Sequence, residues 1–138
     1  MENCIFCKIV SGEIPCYKVF ENDKILAFLD VNPAALGHVL VIPKKHFSNI
    51  FEIENDYLQE LIVVAKDVAI KMKTEFGAEG VSLFQSNGEA AEQTVFHFHL
   101  HLLPRMINDE INFSEVLLKN VKKLDDERFE KIRKILTK

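Results

Sequence analysis

Residues 93–103 read QTVFHFHLHLL, so histidines alternate with large apolar residues. A period of two predicts a β-strand, which we expect over residues 95–103, because successive side chains of a strand point to opposite faces. His97, His99 and His101 then share one face of this strand. The other face is expected to pack beneath a helix, and it carries Phe96, Phe98, Leu100 and Leu102.

Three of the chain's five histidines lie in this strand. A purely structural role is the weakest interpretation, because crowded imidazoles repel one another when protonated. A single metal ion bound by all three is also disfavoured, since the outer Cα atoms would be about 13 Å apart on a strand while metal–nitrogen bonds are about 2.1 Å. Neighbouring pairs with outside ligands remain possible. The third interpretation is nucleophilic catalysis by the central histidine, whose neutral imidazole can attack phosphorus while its other nitrogen donates to a fixed acceptor.

The predicted strands elsewhere suit an antiparallel sheet. We expect them over residues 17–21, 24–30, 39–42 and 80–86. Asn22-Asp23 lies between the first two and predicts a hairpin turn. The apolar run 39–42 ends at Pro43 and is expected to be buried on both faces.

One long helix is predicted between Asn55, as its cap, and Gly77, as the residue that ends it. Its apolar residues recur at helical spacing, and they are Leu58, Leu61, Ile62, Ala65, Ala69, Met72 and Phe76. A helical turn is expected over residues 5–10 and a last helix over 125–137, with Phe129, Ile132 and Leu136 on one face. The fold class is therefore α+β: an antiparallel sheet of about five strands, one long helix packed on it and a C-terminal helix.

Size and composition indicate a soluble globular chain. The 138 residues suit a single domain over 1–138, and 48% of them are hydrophobic. A net charge of −4 argues against a nucleic-acid partner, which requires clustered Lys and Arg. No apolar run approaches the roughly 20 residues of a membrane span, and the start of the chain lacks a signal-peptide pattern. We expect a cytoplasmic protein whose three cysteines stay reduced or bind metal.

Several motifs together resemble the histidine triad (HIT) family. The run 97–103 matches the signature His-φ-His-φ-His-φ-φ, where φ is apolar, and four further segments match in order, namely residues 6–10, 12–15, 27–30 and 37–46. The resemblance covers a core of about residues 4–105, leaves 106–138 as a less similar C-terminal segment, and is strongest to the bacterial, Hint-like branch. It implies a HIT-like fold and a homodimer.

The resemblance assigns the chemistry to three residues. His99 matches the histidine that attacks the α-phosphorus of a nucleoside phosphate conjugate and forms a nucleotidyl-histidine, which water then hydrolyses. His101 matches the third triad histidine, which contacts the phosphate and leaving group. Thr94 stands where the family usually has serine and offers the same hydroxyl. No metal is required for this step, because these donors and backbone N–H groups can bind the developing charge.

The resemblance also assigns a purine-nucleotide site. Phe6, Ile9 and Phe28 match the base pocket, and Asp30 matches the residue that accepts hydrogen bonds from the ribose hydroxyls. Gln93 and Asn87 match positions whose backbone or amide groups hold phosphate, and His38 matches an upstream histidine near the site. His99 and His101 complete the nucleotide-binding set. Taken alone, Phe6 and Phe28 would be interpreted as core residues and Asp30 as a turn or cap.

Cys4-Ile5-Phe6-Cys7 is a Cys-x-x-Cys pair that can bind one side of a zinc ion. By itself it could also be a redox pair or two buried cysteines. The resemblance implies a structural Cys2His2 zinc site completed by His46 and His97. Cys16 lies outside this pattern and is expected to pack as a small hydrophobe.

The resemblance therefore implies a hydrolase or transferase acting on purine phosphoramidates, dinucleoside polyphosphates or similar conjugates. Two alternatives stay open: a nucleotide-binding regulatory module with little turnover, and a zinc-stabilised interaction protein that binds no nucleotide. A P-loop NTPase is excluded, because the Gly-x-x-x-x-Gly-Lys-Ser/Thr loop is missing from the sequence.

Overall fold

The structure is a computed structural model and describes residues 3–138. Contacts within the chain divide it into two compact units, one ending at Ile107 and the other spanning Asn108–Lys138. Among the described residues, no helix is both long enough and apolar enough to cross a membrane.

A five-stranded sheet forms the first unit, with every neighbouring pair antiparallel and the order β1-β2-β3-β5-β4. The strands are β1 (Lys18–Glu21), β2 (Ile25–Leu29), β3 (Val39–Pro43), β4 (Gly80–Phe84) and β5 (Leu100–Arg105). Asn22 forms the predicted hairpin turn, since its Oδ1 accepts hydrogen bonds from the backbone N–H groups of Lys24 at 2.9 Å and Ile25 at 2.7 Å. The predicted α+β class with an antiparallel sheet is thus confirmed.

Two helices pack on this sheet. Helix α1 (Ile5–Val10) precedes the first strand, and α2 (Asn55–Thr74) connects β3 to β4. The predicted cap at Asn55 is wrong, because Glu54 has the extended backbone of the cap (φ −69°, ψ 143°) and Asn55 is already helical. Gly77, at φ +78°, follows the helix as expected.

The hydrophobic core lies between α2 and one face of the sheet. The helix buries Leu61, Val64, Ala65, Val68 and Met72 against inward residues of the strands, among them Ala27, Val41 and Leu102. The opposite face of the sheet carries a second apolar cluster, in which Phe6 of α1 packs with Leu26, Phe28, Leu40 and Ile42. This second face holds the candidate site.

The histidine strand begins later than predicted. β5 starts at Leu100, so His97 and His99 precede it instead of belonging to a strand over 95–103. The backbone N–H of Phe98 donates to the carbonyl of Phe47 at 2.7 Å, which holds this part of the chain against the loop after β3. Phe98, Leu100 and Leu102 enter the core as expected, whereas Phe96 is 47% exposed.

The second unit contains α3 (Phe113–Leu118) and α4 (Asp126–Leu136). The first of these helices was not predicted. Asp125 caps α4 by accepting a hydrogen bond from the backbone N–H of Arg128 at 2.9 Å, in agreement with the expected helix over 125–137.

Candidate active site and metal site

A cavity of about 400 Å³ opens on the sheet face opposite α2. It brings together most of the residues predicted for catalysis and nucleotide binding. Its apolar lining includes Phe6, Ile9 and Phe28, and its polar lining includes Asp30, Thr94, His99 and His101. Segments distant in sequence therefore meet at one concave site with few polar groups, which is typical of a small-molecule site.

His99 is held with one defined nitrogen available. Its Nδ1–H donates to the backbone carbonyl of His97 at 2.8 Å, which leaves the lone pair on Nε2. Burial lowers the pKa of His99, because a desolvated imidazole disfavours its charged form. The edge of Phe6 contacts the ring, with centroids 5.2 Å apart. His99 thus has the tautomer and the neutral charge of a nucleophile.

His101 lies beside His99, with ring centroids 5.0 Å apart. The ring of Phe84 stacks on it at 4.2 Å and an interplanar angle of 7°. Its Nδ1 lies 2.9 Å from Nε2 of His38. Burial lowers the pKa of His101 to about 4, and the neighbouring His99 and His38 contribute in the same direction. The ring is therefore neutral at physiological pH.

The carboxylate of Asp30 stands at the end of β2 and lines the cavity. Its Oδ1 accepts a hydrogen bond from the backbone N–H of Asn32 at 2.9 Å, and its Oδ2 lies 3.7 Å from Nε2 of His38. In the adjoining apolar slot, the rings of Phe6 and Phe28 meet edge to face at 5.7 Å.

Gln93 and Asn87 are not among the described residues that line the cavity. The buried side chain of Gln93 donates to the carbonyls of Ser48 and Val95 at 2.7 and 3.0 Å, and accepts from the N–H of Gly88 at 2.8 Å. Asn87 accepts from the N–H of Ile50 at 2.8 Å. Both side chains hold the loop before the histidine motif, and their contact with phosphate stays a prediction.

The structure also places several residues at the site that were not predicted. Ile14, Pro15 and Cys16 line the cavity, although Ile14 and Pro15 belong to a segment that resembles the family. Phe84 reaches His101 because the two residues are direct partners across β4 and β5. That register depends on strand pairing, which the sequence does not display.

Cys4, Cys7, His46 and His97 converge beside α1, with one ligand atom from each within 4.8 Å of the others. Nδ1 of His97 lies 3.3 Å from Sγ of Cys4, and Nδ1 of His46 lies 3.3 Å from Sγ of Cys7. A tetrahedral zinc ion with bonds of about 2.3 Å to sulfur and 2.0–2.1 Å to nitrogen separates such ligands by about 3.6 Å. The donor set and its spacing therefore fit a metal ion.

A hydrogen bond orients His97 toward this cluster. Its Nε2–H donates to the backbone carbonyl of Pro43 at 2.8 Å, so the lone pair on Nδ1 faces the thiols. Metal-binding histidines commonly use their second nitrogen in this way. Burial lowers the pKa of His97 to about 4, which keeps the ring in the neutral form that a metal requires.

Comparison with known proteins gives close relatives. A family model described as the HIT domain matches residues 11–107. The chain is 42% identical over 107 residues to adenosine 5′-monophosphoramidase HNT1 of Candida albicans, covering 75% of this chain and 70% of that protein. It is 37% identical over 125 residues to adenylylsulfatase HINT3 of Arabidopsis thaliana, covering 91% of this chain and 64% of that protein.

Solved structures agree with the fold. SMU.412c from Streptococcus mutans has a TM-score of 0.89 and 37% identity, covering 99% of this chain and 85% of that one. A zinc-bound histidine triad family protein from Mycobacterium smegmatis has a TM-score of 0.76 and 35% identity, covering 81% of each chain.

Proposed function

The chain belongs to the HIT domain family, and from this premise we propose that it hydrolyses purine nucleoside 5′-phosphate conjugates through a nucleotidyl intermediate on His99. The observation that carries the proposal is the hydrogen bond from Nδ1–H of His99 to the carbonyl of His97 at 2.8 Å. It leaves an unprotonated Nε2 in a cavity that also holds a carboxylate and an apolar slot.

The reaction has two displacements. Nε2 of His99 forms a bond to the α-phosphorus, while the bond from phosphorus to the leaving group breaks and its electron pair departs with that group. The Nε2–H of neutral His101 donates a hydrogen bond to the leaving group, which takes its proton from water as it departs. Water then attacks the same phosphorus, the phosphorus–nitrogen bond breaks with its electron pair returning to Nε2 of His99, and the proton of the attacking water goes to solvent. The hydroxyl of Thr94 and nearby backbone N–H groups hold the phosphate oxygens.

The rest of the cavity accounts for nucleotide binding. A purine ring enters the slot formed by Phe6, Ile9 and Phe28, and Oδ2 of Asp30 accepts from the ribose hydroxyls. Relatives named as a phosphoramidase and an adenylylsulfatase support a leaving group bonded to an adenylyl phosphate. The homodimer, the cytoplasmic location and the absence of a nucleic-acid partner stay predictions.

Hydrolysis of a fluorogenic adenosine phosphoramidate tests the proposal, with a diadenosine polyphosphate assayed beside it. We expect turnover by the wild-type protein and a loss of about three orders of magnitude or more in kcat for His99→Ala, since a nucleophile is removed. AMP titration and thermal unfolding should show that His99→Ala still folds and binds the product.

Mass spectrometry of the quenched wild-type reaction should also show an adenylyl group on His99. If wild-type protein binds AMP but turns over neither substrate, the regulatory binding module replaces this proposal. If it binds no nucleotide, the zinc-stabilised interaction protein does.

We further propose that Cys4, Cys7, His46 and His97 bind a structural zinc ion. Such a closed site leaves no position for substrate. When bound, zinc would link α1 to the loop after β3 and to the histidine motif. It would also hold His97, whose carbonyl fixes the tautomer of His99.

Metal analysis of the purified protein should give a single zinc ion per chain, which Cys7→Ser loses. Chelation should lower the unfolding temperature, because metal binding contributes directly to folding stability. Cys16→Ser is the matched control, since this cysteine lies outside the cluster, and it should keep its zinc. Equal zinc content in both variants would contradict the assignment.

A further inference from the structure

His38 connects His101 to a backbone amide in the loop between β2 and β3. The N–H of Ala34 donates to Nδ1 of His38 at 3.1 Å. On the other side of the ring, Nε2 of His38 lies 2.9 Å from Nδ1 of His101. His38 is only 4% exposed, so its ring is held by these contacts inside the protein.

These contacts determine where the protons lie. A peptide N–H can only donate, so Nδ1 of His38 must accept and carries the lone pair. A neutral imidazole has one protonated nitrogen, and in His38 this must be Nε2. The Nε2–H therefore donates to Nδ1 of His101. His101 in turn must carry its proton on Nε2, the nitrogen that remains for the cavity.

Asp30 does not change this placement of the protons. Its Oδ2 lies 3.7 Å from Nε2 of His38, which is longer than the 2.9 Å contact with His101. The carboxylate favours a protonated His38. A second proton would have to go on Nδ1, however, where it would face the N–H of Ala34 and lose that hydrogen bond.

The same proton placement argues against a metal ion bound by Asp30, His38 and His101. Ligand atoms of Asp30, His38 and His101 lie within 4.8 Å of one another, close enough to hold an ion. A metal on Nε2 of His38 would, however, require this nitrogen to lose its proton while Nδ1 still accepts from Ala34. A neutral imidazole cannot accept at both nitrogens. In His97, by contrast, the protonated Nε2 donates to Pro43 and Nδ1 is free for metal.

Phe84 supplies the remaining constraint. Its ring lies nearly parallel to that of His101, with an angle of 7°. The stacking fixes the plane of the imidazole. The contact with His38 selects one of the two flipped orientations of the ring in that plane and also fixes its tautomer. The donor is thus oriented before substrate arrives, which is the condition for efficient electrostatic catalysis.

We propose that the peptide N–H of Ala34, acting through the positioning residue His38, fixes His101 as the tautomer that presents Nε2–H to the cavity. The inference rests on the proposed function for the role of that proton, but the tautomer itself does not depend on turnover. His101 is then a hydrogen-bond donor whose tautomer is set by a backbone amide, with neither a carboxylate nor a metal ion as its direct partner.

Long-range ¹⁵N–¹H NMR of the ¹⁵N-labelled, zinc-loaded full chain at neutral pH tests the proposal directly. We expect His38 and His101 both to carry the proton on Nε2 and to have an unprotonated Nδ1. A proton on Nδ1 of either residue would overturn the inference, as would zinc titration that broadens or shifts both rings at a second site.

Two variants of His38 provide the functional readout. His38→Leu removes both hydrogen bonds at similar volume, so His101 should show mixed tautomers and kcat should fall by about tenfold to a hundredfold, with KM changed by less than about twofold. His38→Gln can accept from Ala34 through its amide oxygen and donate to His101 through its amide nitrogen. It should restore both the tautomer and most of kcat, a rescue that a role in packing alone would not give.

Ala34→Pro removes the amide proton without touching either histidine, and Ala34→Ser retains it. His38 should show both tautomers only in the proline variant, and an unchanged tautomer there would overturn the inference.

Failure of the proposed function looks different: wild-type protein would lack turnover although His101 carries its proton on Nε2. Turnover that depends on His99 together with a proton on Nδ1 of His101 would overturn the inference alone.

Discussion

His97 donates its Nε2–H to the carbonyl of Pro43, whereas His99 donates its Nδ1–H to the carbonyl of His97, each at 2.8 Å. The two rings therefore leave opposite nitrogens unprotonated, one toward two thiols and the other toward the cavity. His101 differs again, because its hydrogen-bond partner is another imidazole. Identical side chains in one motif thus acquire three roles from their hydrogen-bond acceptors and donors.

Thr94 permits a matched test of a single hydroxyl. Thr94→Val keeps the shape of the side chain and removes its donor, so kcat for phosphoramidate hydrolysis should fall by about tenfold to a hundredfold, as when one donor to a developing charge is lost. Thr94→Ser keeps the hydroxyl and should retain activity within a few-fold of wild type. Steady-state kinetics measures both, and equal activity of the two variants would remove Thr94 from the mechanism.

The loop from Asp30 to His38 is the element that joins the proposed ribose-binding carboxylate to the proposed positioning residue His38. It is closed by a hydrogen bond from the N–H of Asp30 to the carbonyl of His38 at 2.9 Å, and Gly37 adopts φ +85° immediately before His38. A Cβ at Gly37 would lie 3.0 Å from the ring of Phe76 and 3.1 Å from Pro104. The glycine is therefore required both by its backbone angle and by the packing beside it.

Gly37→Ala should lower the free energy of unfolding by about 1–3 kcal/mol, because it combines a left-handed backbone angle with a close contact. Gly12→Ala is the matched control. Gly12 has a similar φ of +82°, but a Cβ added there would have no neighbouring atom within 4 Å, so only the backbone cost applies. Urea unfolding of both variants measures the difference. Equal destabilisation would show that the ring of Phe76 moves away from the added Cβ at no cost in free energy.

Across the whole first unit, the sheet separates two environments. One face packs against α2 in the core, and the other collects four buried or half-buried histidines whose pKa values are lowered mainly by burial. In the unfolded chain these residues titrate near 6.5. Between that pH and about 4 the unfolded chain binds more protons, so stability decreases as the pH falls through this range.

Chemical denaturation at a series of pH values should show this loss between about pH 6.5 and 4, with a slope of at most about 1.4 kcal/mol per pH unit for each histidine. Carboxylates such as Glu21 and Asp56, whose pKa values are lowered by lysine partners, affect stability mainly below about pH 4.5. His101→Gln should therefore reduce the slope of stability against pH between about pH 6.5 and 4.5. A stability independent of pH above 4.5 would contradict the prediction.

Local patterns in the sequence were sufficient for the α+β class, the five antiparallel strands and the long helix. Alternation, helical spacing and the Asn22 turn are properties of neighbouring residues, and they operate before the chain folds. The motif also indicated that several histidines share one site, and its resemblance to one family pointed to Asp30, Thr94, His99 and His101, which line the cavity.

Only the tertiary structure decided the details that involve residues far apart in sequence. The bond from Phe98 to Phe47 shortens the predicted histidine strand, Glu54 takes the cap expected at Asn55, and Phe84 reaches His101 through strand register. The tautomers depend on acceptors and donors at Pro43, His97 and Ala34, which are backbone groups. Every residue carries such groups, so no residue type reveals which of them will meet a histidine, and only the folded chain supplies that answer.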